Sequence, residues 1–171
     1  MGVLDPGSES PAGSIAEKYI QADYTDSAAL KQMAALCTSV STEFENVPAQ
    51  ALDELESMGV FVAPRSSCVS IAQNRIAEKK FLATWKSETN IGPAPYFVIE
   101  HDADLAHVPI ELFPGILKTA RMGYDGKGQA TVYNPEELTT AWSQFGRVPC
   151  VLEKRMDLDF EVSALVVRGY D

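Results

Sequence analysis

The sequence has few cysteines, no Cys-x-x-C pair and no long apolar run. Its 171 residues include 3 cysteines, Cys37, Cys68 and Cys150, whose odd number and wide spacing indicate neither a disulfide framework nor a zinc site. We therefore expect a reducing, cytoplasmic compartment. No apolar segment approaches the roughly 20 residues that cross a bilayer, and the first residues lack the basic and apolar regions of a secretion signal. These absences disfavour the membrane-spanning and secreted classes.

Basic residues are also scarce, since 14 Lys and Arg face 24 Asp and Glu and give a net charge of −10. Such a charge argues against non-specific binding to nucleic acid or to an anionic membrane. Residues 1–64 contain only Lys18 and Lys31 as basic residues, so a site for an anion is expected later in the chain. The composition is 46% apolar and 22% charged, which is typical of a globular protein.

Strand and helix patterns alternate in the first part of the chain. Strands are predicted at 3–4, 39–44 and 60–62, and helices at 15–20, 28–36 and from Pro48 to Gly59. Alternation of this kind, with short connections, indicates a parallel α/β layer with right-handed crossovers.

The pattern changes near residues 65–73, where we place a domain boundary. A long helical stretch begins at Ser66 and ends near Asn90. Beyond it, β-like runs are predicted at 96–99, 116–119, 130–133, 150–153 and 162–167, and a helix at 135–145. We expect an α/β domain over residues 1–72 and an α+β domain over residues 73–171.

A glycine-rich loop between two of these β-like runs is the most informative segment. It carries Gly123, Gly126 and Gly128, with Lys118 before it and Lys127 within it. Glycines let successive backbone N–H groups approach phosphate oxygens, and lysine adds a mobile charge, so the loop predicts a polyphosphate site. It is not a Walker A loop, because Gly128 follows Lys127, and its glycine order differs from a dinucleotide fingerprint. An ordinary glycine-rich turn stays open as the alternative.

Two acidic residues near the end of the chain suggest a nucleoside site. A short apolar strand ends at Glu153, and Glu161 lies beyond it. Backbone groups at the end of such a strand can pair with adenine, and a carboxylate can bind ribose hydroxyls. An acidic surface loop explains the same spacing and is favoured on spacing alone.

The two histidines suggest a metal cluster only superficially. His101 and His107 flank Asp102 and Asp104, but the segment is polar, lies in a predicted connection and lacks the i, i+4 spacing of a helical ligand pair. We assign no metal ligand to this chain.

The glycine-rich loop and several other segments resemble one known family. The loop 123–129, preceded by Ile116-Leu117-Lys118, closely resembles the 5-(carboxyamino)imidazole ribonucleotide synthases, which are ATP-grasp ligases of purine biosynthesis. Further segments match that family in order: Leu4-Asp5-Pro6 with Pro11-Ala12, residues 42–48, Ala72-Gln73-Asn74-Arg75 with Glu78-Lys79, and residues 160–163. The resemblance spans nearly the whole chain.

The resemblance implies a fold and a reaction. The fold is a partial pre-ATP-grasp, Rossmann-like domain followed by a partial ATP-grasp domain. The reaction is carboxylation of 5-aminoimidazole ribonucleotide by bicarbonate, driven by ATP through carboxyphosphate and assisted by magnesium. The full-length enzymes are expected to be cytoplasmic homodimers that bind neither nucleic acid nor membranes.

The resemblance also implies roles for particular residues. Arg75 and Lys118 would contact ATP phosphates, the loop would fold over them, residues 153–156 would line the adenine pocket, and Glu161 would bind ribose. The implied ATP-binding set is Arg75, Lys118, Gly123, Tyr124, Asp125, Gly126, Lys127, Gly128, Gln129, Glu153, Lys154, Arg155, Met156 and Glu161. Tyr124 and Asp125 would also face the aminoimidazole substrate as catalytic residues. Glu43 or Glu45 would border that substrate, with an ordinary exposed acid as an equal alternative.

The sequence departs from the family in several respects, among them a shorter stretch between Ile99 and Pro114. The opening strand and glycine-rich turn are absent, the magnesium-binding Glu and Asn residues would lie beyond Asp171, and Asn74 stands where the family usually has Asp. We therefore expect an internal fragment. A truncated ATP-binding piece without turnover, or another ATP-grasp ligase, stays open beside the synthase.

Asp125 offers a test of the predicted loop roles. Because it is placed toward the aminoimidazole substrate, Asp125→Ala should lower kcat/KM for that substrate more than it weakens ATP binding. Steady-state kinetics and calorimetry on the full protein measure the two effects. Equal losses would assign Asp125 to the nucleotide instead.

Overall fold

The structure is a computed structural model that describes residues 1–123 and 128–167. Its contacts divide the chain into two units, Met1–Pro93 with Thr119–Gly128, and Ala94–Lys118 with Gln129–Asp171. Within the described residues, no helix is both long and apolar enough to cross a membrane. The division into domains at residues 72 and 73 stays a prediction.

In its described residues, the first unit contains two pairs of parallel strands and six helices. Strands β1 (Gly2–Asp5) and β2 (Lys18–Gln21) pair in parallel, as do β3 (Ser39–Val40) and β4 (Phe61–Val62). The helices are α1 (Pro11–Ile15), α2 (Ser27–Leu36), α3 (Ala49–Ser57), α4 (Ser66–Ala72), α5 (Arg75–Thr84) and α6 (Lys86–Thr89). The parallel pairing and the mixture of helices and strands confirm the predicted α/β class.

Local sequence signals explain where these helices begin and end. The Asp26 carboxylate accepts hydrogen bonds from the amides of Ala28 and Ala29, which begins α2. Gly59 follows α3 with φ 84°, a left-handed conformation that favours glycine. Helices α2, α3 and α4 contribute buried side chains to a core that includes Ile20, Leu30, Leu52, Leu55 and Val62.

Two predictions for this unit are wrong in detail. Residues 15–20 do not form a helix, because Ser10 caps α1 earlier and residues 18–21 pair with β1, which buries Ile20. Strand pairing has therefore overridden local helical periodicity. The helical stretch predicted from Ser66 to Asn90 is divided into three helices. The Asn74 side chain accepts hydrogen bonds from the amides of Ile76 and Ala77 and so begins a new helix, α5.

The second unit contains a four-stranded sheet and one α-helix. Its strands are β5 (Tyr96–Ile99), β6 (Gly115–Thr119), β7 (Gln129–Val132) and β8 (Cys150–Lys154), in the order β5-β8-β6-β7. Helix α7 (Pro135–Gln144) packs Leu138 and Trp142 against Ile99, Leu117 and Leu152. The β-like runs predicted at 96–99, 116–119, 130–133 and 150–153 and the helix predicted at 135–145 are confirmed.

The predicted strand at 162–167 is wrong. This segment has no regular secondary structure, and Val162 and Val167 are 80% and 96% exposed. A run of apolar residues forms a strand only where a neighbouring strand accepts its backbone hydrogen bonds. No such pairing is present among the residues that the structure describes.

Trp142 provides a test of the second unit's core. The side chain is 2% exposed, and its indole N–H donates to the Val148 carbonyl at 2.8 Å. Trp142→Phe should lower the free energy of unfolding by about 1–2 kcal/mol, because it removes this bond and leaves a cavity. Urea unfolding followed by circular dichroism measures the change. Trp85→Phe, at a site 47% exposed, is the matched control and should change it by at most about 0.5 kcal/mol.

Candidate functional site

The second unit places a lysine and a glutamate side by side on one face of its sheet. Leu117 and Leu152 point into the core, so their neighbours Lys118 and Glu153 point to the opposite face. The Lys118 ammonium donates to Glu153 Oε2 at 2.9 Å, with side chains 22% and 10% exposed. This partly buried ion pair fixes a positive charge at the position that the sequence predicts for phosphate binding.

The end of β8 is held by backbone hydrogen bonds within the same unit. The Lys154 amide donates to the Pro95 carbonyl at 2.8 Å, and the Arg155 amide donates to the Pro114 carbonyl at 2.9 Å. Neither amide is therefore available to an adenine ring. The Arg155 guanidinium lies over the Tyr133 ring at 5.6 Å, which keeps this side chain beside β7. Met156 is half exposed and Glu161 is exposed in the irregular segment that follows.

The first unit contains a cleft of about 470 Å³ that gathers several of the predicted residues. It is lined by Thr42, Glu43, Glu45, Asn46, Pro64, Val69, Ala72, Gln73, Arg75, Glu78, Thr119, Ala120, Arg121, Met122 and Gly123. Carboxylates and guanidinium groups share this cleft. It therefore suits a ligand that presents an anionic group and a hydrogen-bond donor together.

Arg75 reaches this cleft from the junction between α4 and α5. Asn74 caps α5 through its Oδ1, so this departure from the usual Asp keeps the capping bonds. The Arg75 amide donates to the Ala120 carbonyl at 2.9 Å, which ties the start of α5 to the segment before the glycine-rich loop. The Nε of the Arg75 side chain is buried and has no hydrogen-bond partner among the described residues. An unsatisfied guanidinium donor of this kind favours an anionic ligand.

A backbone hydrogen bond joins the two ends of the glycine-rich loop. The Thr119 amide donates to the Gly128 carbonyl at 2.8 Å. Gly128 has φ 71°, and a Cβ there would lie 2.5 Å from Thr119 Oγ1, so glycine is required for this approach. Gly123 lines the cleft, and Gln129 pairs with Lys118 in the β6–β7 ladder. Tyr124, Asp125, Gly126 and Lys127 lie outside the described residues.

The acidic segment before α3 forms another wall of the cleft. The side chains of Glu43 and Glu45 are exposed, and Glu45 accepts a hydrogen bond from Asn46 at 3.2 Å. Phe44 stacks on Tyr24, with ring centroids 6.2 Å apart. Burial of the Tyr24 phenol, together with the nearby Asp5 and Glu43 carboxylates, raises its pKa. Both predicted acids therefore face a cleft that also contains Arg75.

Sequence analysis assigned no functional role to several residues of the cleft, although Gln73 and Glu78 lie in segments that carry the family resemblance. Gln73, Glu78 and Arg121 enter the cleft through helix ends and turns rather than through a motif. Gln73 lies within the Ala72-Gln73-Asn74-Arg75 segment, which carries the family resemblance, but its partners are backbone carbonyls. Bonds between a side chain and distant backbone leave no spacing pattern that a single sequence could reveal.

Comparison with protein-family models matches both parts of the chain. Residues 1–73 match the ribonucleotide synthetase preATP-grasp domain, and residues 85–171, just over half of the chain, match the ATP-grasp domain. The chain belongs to the ATP-grasp family. The predicted fold class, a pre-ATP-grasp domain followed by an ATP-grasp domain, is thereby confirmed.

Several relatives of this ATP-grasp chain are N5-carboxyaminoimidazole ribonucleotide synthases. The chain is similar to the N5-carboxyaminoimidazole ribonucleotide synthase of Pseudomonas aeruginosa, at 38% identity over 98% of this chain and 45% of the relative. The crystal structure of N5-carboxyaminoimidazole synthetase from Staphylococcus aureus complexed with ADP matches with a TM-score of 0.81 and 30% identity. That match covers 92% of this chain and 41% of the neighbour.

A third relative has been solved with two small molecules bound. The N5-carboxyaminoimidazole synthase of Aspergillus clavatus, in complex with ADP and 5-aminoimidazole ribonucleotide, matches with a TM-score of 0.74 and 26% identity. The match covers 90% of this chain and 39% of the neighbour. The chain thus spans less than half the length of the relatives it resembles.

A double-mutant cycle tests the Lys118–Glu153 pair. Lys118→Met, Glu153→Gln and the double variant should give a coupling energy of about 1–3 kcal/mol, because the pair is largely shielded from solvent. Urea unfolding measures the three changes in free energy. The matched control is the exposed Arg147–Asp102 pair, 3.1 Å apart with side chains 59% and 69% exposed, whose coupling should stay below about 1 kcal/mol. Equal coupling in both pairs would contradict the shielded position of Lys118.

Proposed function

We propose that the protein carrying this chain catalyses the ATP-dependent carboxylation of 5-aminoimidazole ribonucleotide by bicarbonate. The products would be N5-carboxyaminoimidazole ribonucleotide, ADP and phosphate. The similarity of nearly the whole chain to synthases of this one name carries the proposal. The relatives solved with ADP and with 5-aminoimidazole ribonucleotide support the same substrate classes.

The chemistry requires cations and backbone donors for the phosphate groups. Phosphoryl transfer depends mainly on positioning the phosphates and neutralising their charge. We assign this role to Arg75, Lys118 and the loop 123–129. The buried Nε of Arg75, which has no partner in the part of the chain that the structure describes, and the fixed ammonium of Lys118 support the assignment, since both offer donors to an anion.

The nucleoside and the carboxylated substrate would use other residues of the predicted set. Glu153, Lys154, Arg155 and Met156 are proposed for adenine, with side chains or carbonyl groups in place of the two engaged amides. Glu161 is proposed for ribose, and Tyr124 and Asp125 for the aminoimidazole. Glu43 and Glu45, which line the cleft with Arg75, are proposed for the ribose or amine of the aminoimidazole ribonucleotide.

Magnesium, bicarbonate and the homodimer stay predictions. In the part of the chain that the structure describes, no cluster of three or more His, Cys, Asp or Glu side chains could hold a metal ion. We assign no step of the reaction to the metal.

The direct test of the reaction is release of phosphate from ATP. In the full protein, release should require bicarbonate and 5-aminoimidazole ribonucleotide together, because ATP cleavage is coupled to carboxylation of the amine. A coupled phosphate assay with each substrate omitted in turn measures this requirement. ATP binding without such turnover would instead favour a nucleotide-binding piece, and dependence on a different acceptor would favour another ATP-grasp ligase.

The contribution of Lys118 is tested by ATP affinity. Lys118→Ala should raise the Kd for ATP about tenfold or more in the full protein, because a charge-assisted phosphate contact contributes about 1.5–3 kcal/mol. Calorimetry measures the affinity, and circular dichroism confirms that the variant is folded. Lys80→Ala, at an exposed position on α5, is the matched control and should leave the Kd unchanged. An unaltered Kd for Lys118→Ala would remove this residue from the nucleotide site.

A further inference from the structure

The side chain of Gln73 holds the acidic segment of the cleft through two hydrogen bonds. Its Nε2 donates to the Glu45 carbonyl at 2.9 Å and to the Val47 carbonyl at 2.5 Å. A glutamine amide nitrogen has two N–H donors, so both are used here. Gln73 itself is partly buried at the end of α4, where its backbone amide donates to the Val69 carbonyl.

The acidic segment has little regular structure of its own. It lies between β3 and α3, and one backbone bond within it joins the Val47 amide to the Phe44 carbonyl at 3.3 Å. The side chains of Glu43, Phe44 and Glu45 are exposed. Loops with few internal bonds take their position from the groups that hold them. The two bonds from Gln73 therefore hold this segment together with the stacking of Phe44 on Tyr24 and the packing of Val47 against the core.

Gln73 also lies next to the residues that reach the phosphate side of the cleft. Asn74 caps α5, and the Arg75 amide binds the Ala120 carbonyl. Three successive residues thus connect the acidic segment, α5 and the segment that leads to Gly123. All of them belong to the first unit and meet at the same cleft.

We propose that Gln73 is a positioning residue that sets the place of the Glu43–Val47 segment relative to Arg75. The proposal rests on the proposed function for its kinetic consequence, which concerns the aminoimidazole ribonucleotide rather than ATP. Gln73 touches neither substrate in this account. It acts by holding the backbone from which Glu43 and Glu45 project.

The kinetic test replaces Gln73 with leucine, which has a similar size and no donor. In the full protein, Gln73→Leu should raise the KM for 5-aminoimidazole ribonucleotide about fivefold to tenfold, the effect of losing about one hydrogen bond, while the KM for ATP changes less than twofold. Gln73→Asn keeps the donors on a shorter side chain and should show a smaller increase. Gln50→Leu makes the same chemical change at an exposed site of α3 and should leave both constants unchanged.

A second measurement does not depend on turnover. Amide hydrogen exchange in the Gln73→Leu protein should become faster within residues 43–47 at Val47, whose amide donates to the Phe44 carbonyl, and stay unchanged within α3, because only the segment loses its constraint. Unchanged exchange at 43–47 would overturn the proposal, as would a rise in both KM values together. If the Gln73→Leu protein does not fold, the KM values and the amide hydrogen exchange of Gln73→Asn test the proposal instead.

The two measurements keep this proposal separate from the proposed function. If the unmodified protein shows no turnover that depends on the aminoimidazole ribonucleotide, the proposed reaction fails and hydrogen exchange alone decides the role of Gln73. Faster exchange confined to 43–47 then supports the positioning role. Turnover with unaltered exchange in the variant supports the reaction and overturns the role.

Discussion

The hydrogen bond from the Arg75 amide to the Ala120 carbonyl is the constraint on which the first unit's cleft depends. It joins the start of α5 to a segment 45 residues later in the chain, at 2.9 Å. The bond holds the start of α5 against the segment that leads to Gly123, and Arg75 and Gly123 line the same cleft. Asn74 supports the same junction by capping α5, and Gln73 extends it to the acidic segment.

In the second unit, a strand and an ion pair hold a positive charge in position. On strand β6, the residue before Lys118 is Leu117, which is fully buried. Because successive side chains of a strand point to opposite faces, the sheet fixes the direction of the Lys118 side chain. Glu153 accepts one of the three N–H donors of the ammonium, and the carboxylate holds the charge in place before any ligand arrives. A preorganised cation of this kind reduces the rearrangement that phosphate binding would require.

The sequence predicted the regular elements best where local and tertiary signals agreed. Strands β5, β6, β7 and β8 combine apolar runs with flanking turn residues, and all four formed. The prediction of a helix at 15–20 is wrong because pairing with β1 decided the conformation of residues 18–21. The prediction of a strand at 162–167 is wrong because an apolar run alone supplies no neighbouring strand. The family resemblance pointed to Arg75 and Lys118, whereas Gln73 escaped prediction because its carbonyl partners carry no side-chain signature.

We propose above all that this chain supplies cations for the phosphates of ATP. A crystal structure of the full protein with a non-hydrolysable ATP analogue tests this proposal most directly. The account predicts a phosphate oxygen within hydrogen-bond distance of the Lys118 ammonium. It also predicts that Arg75 donates to a phosphate through its guanidinium group. An analogue bound with its phosphates away from both side chains, with the Lys118 ammonium still on Glu153, would contradict the account.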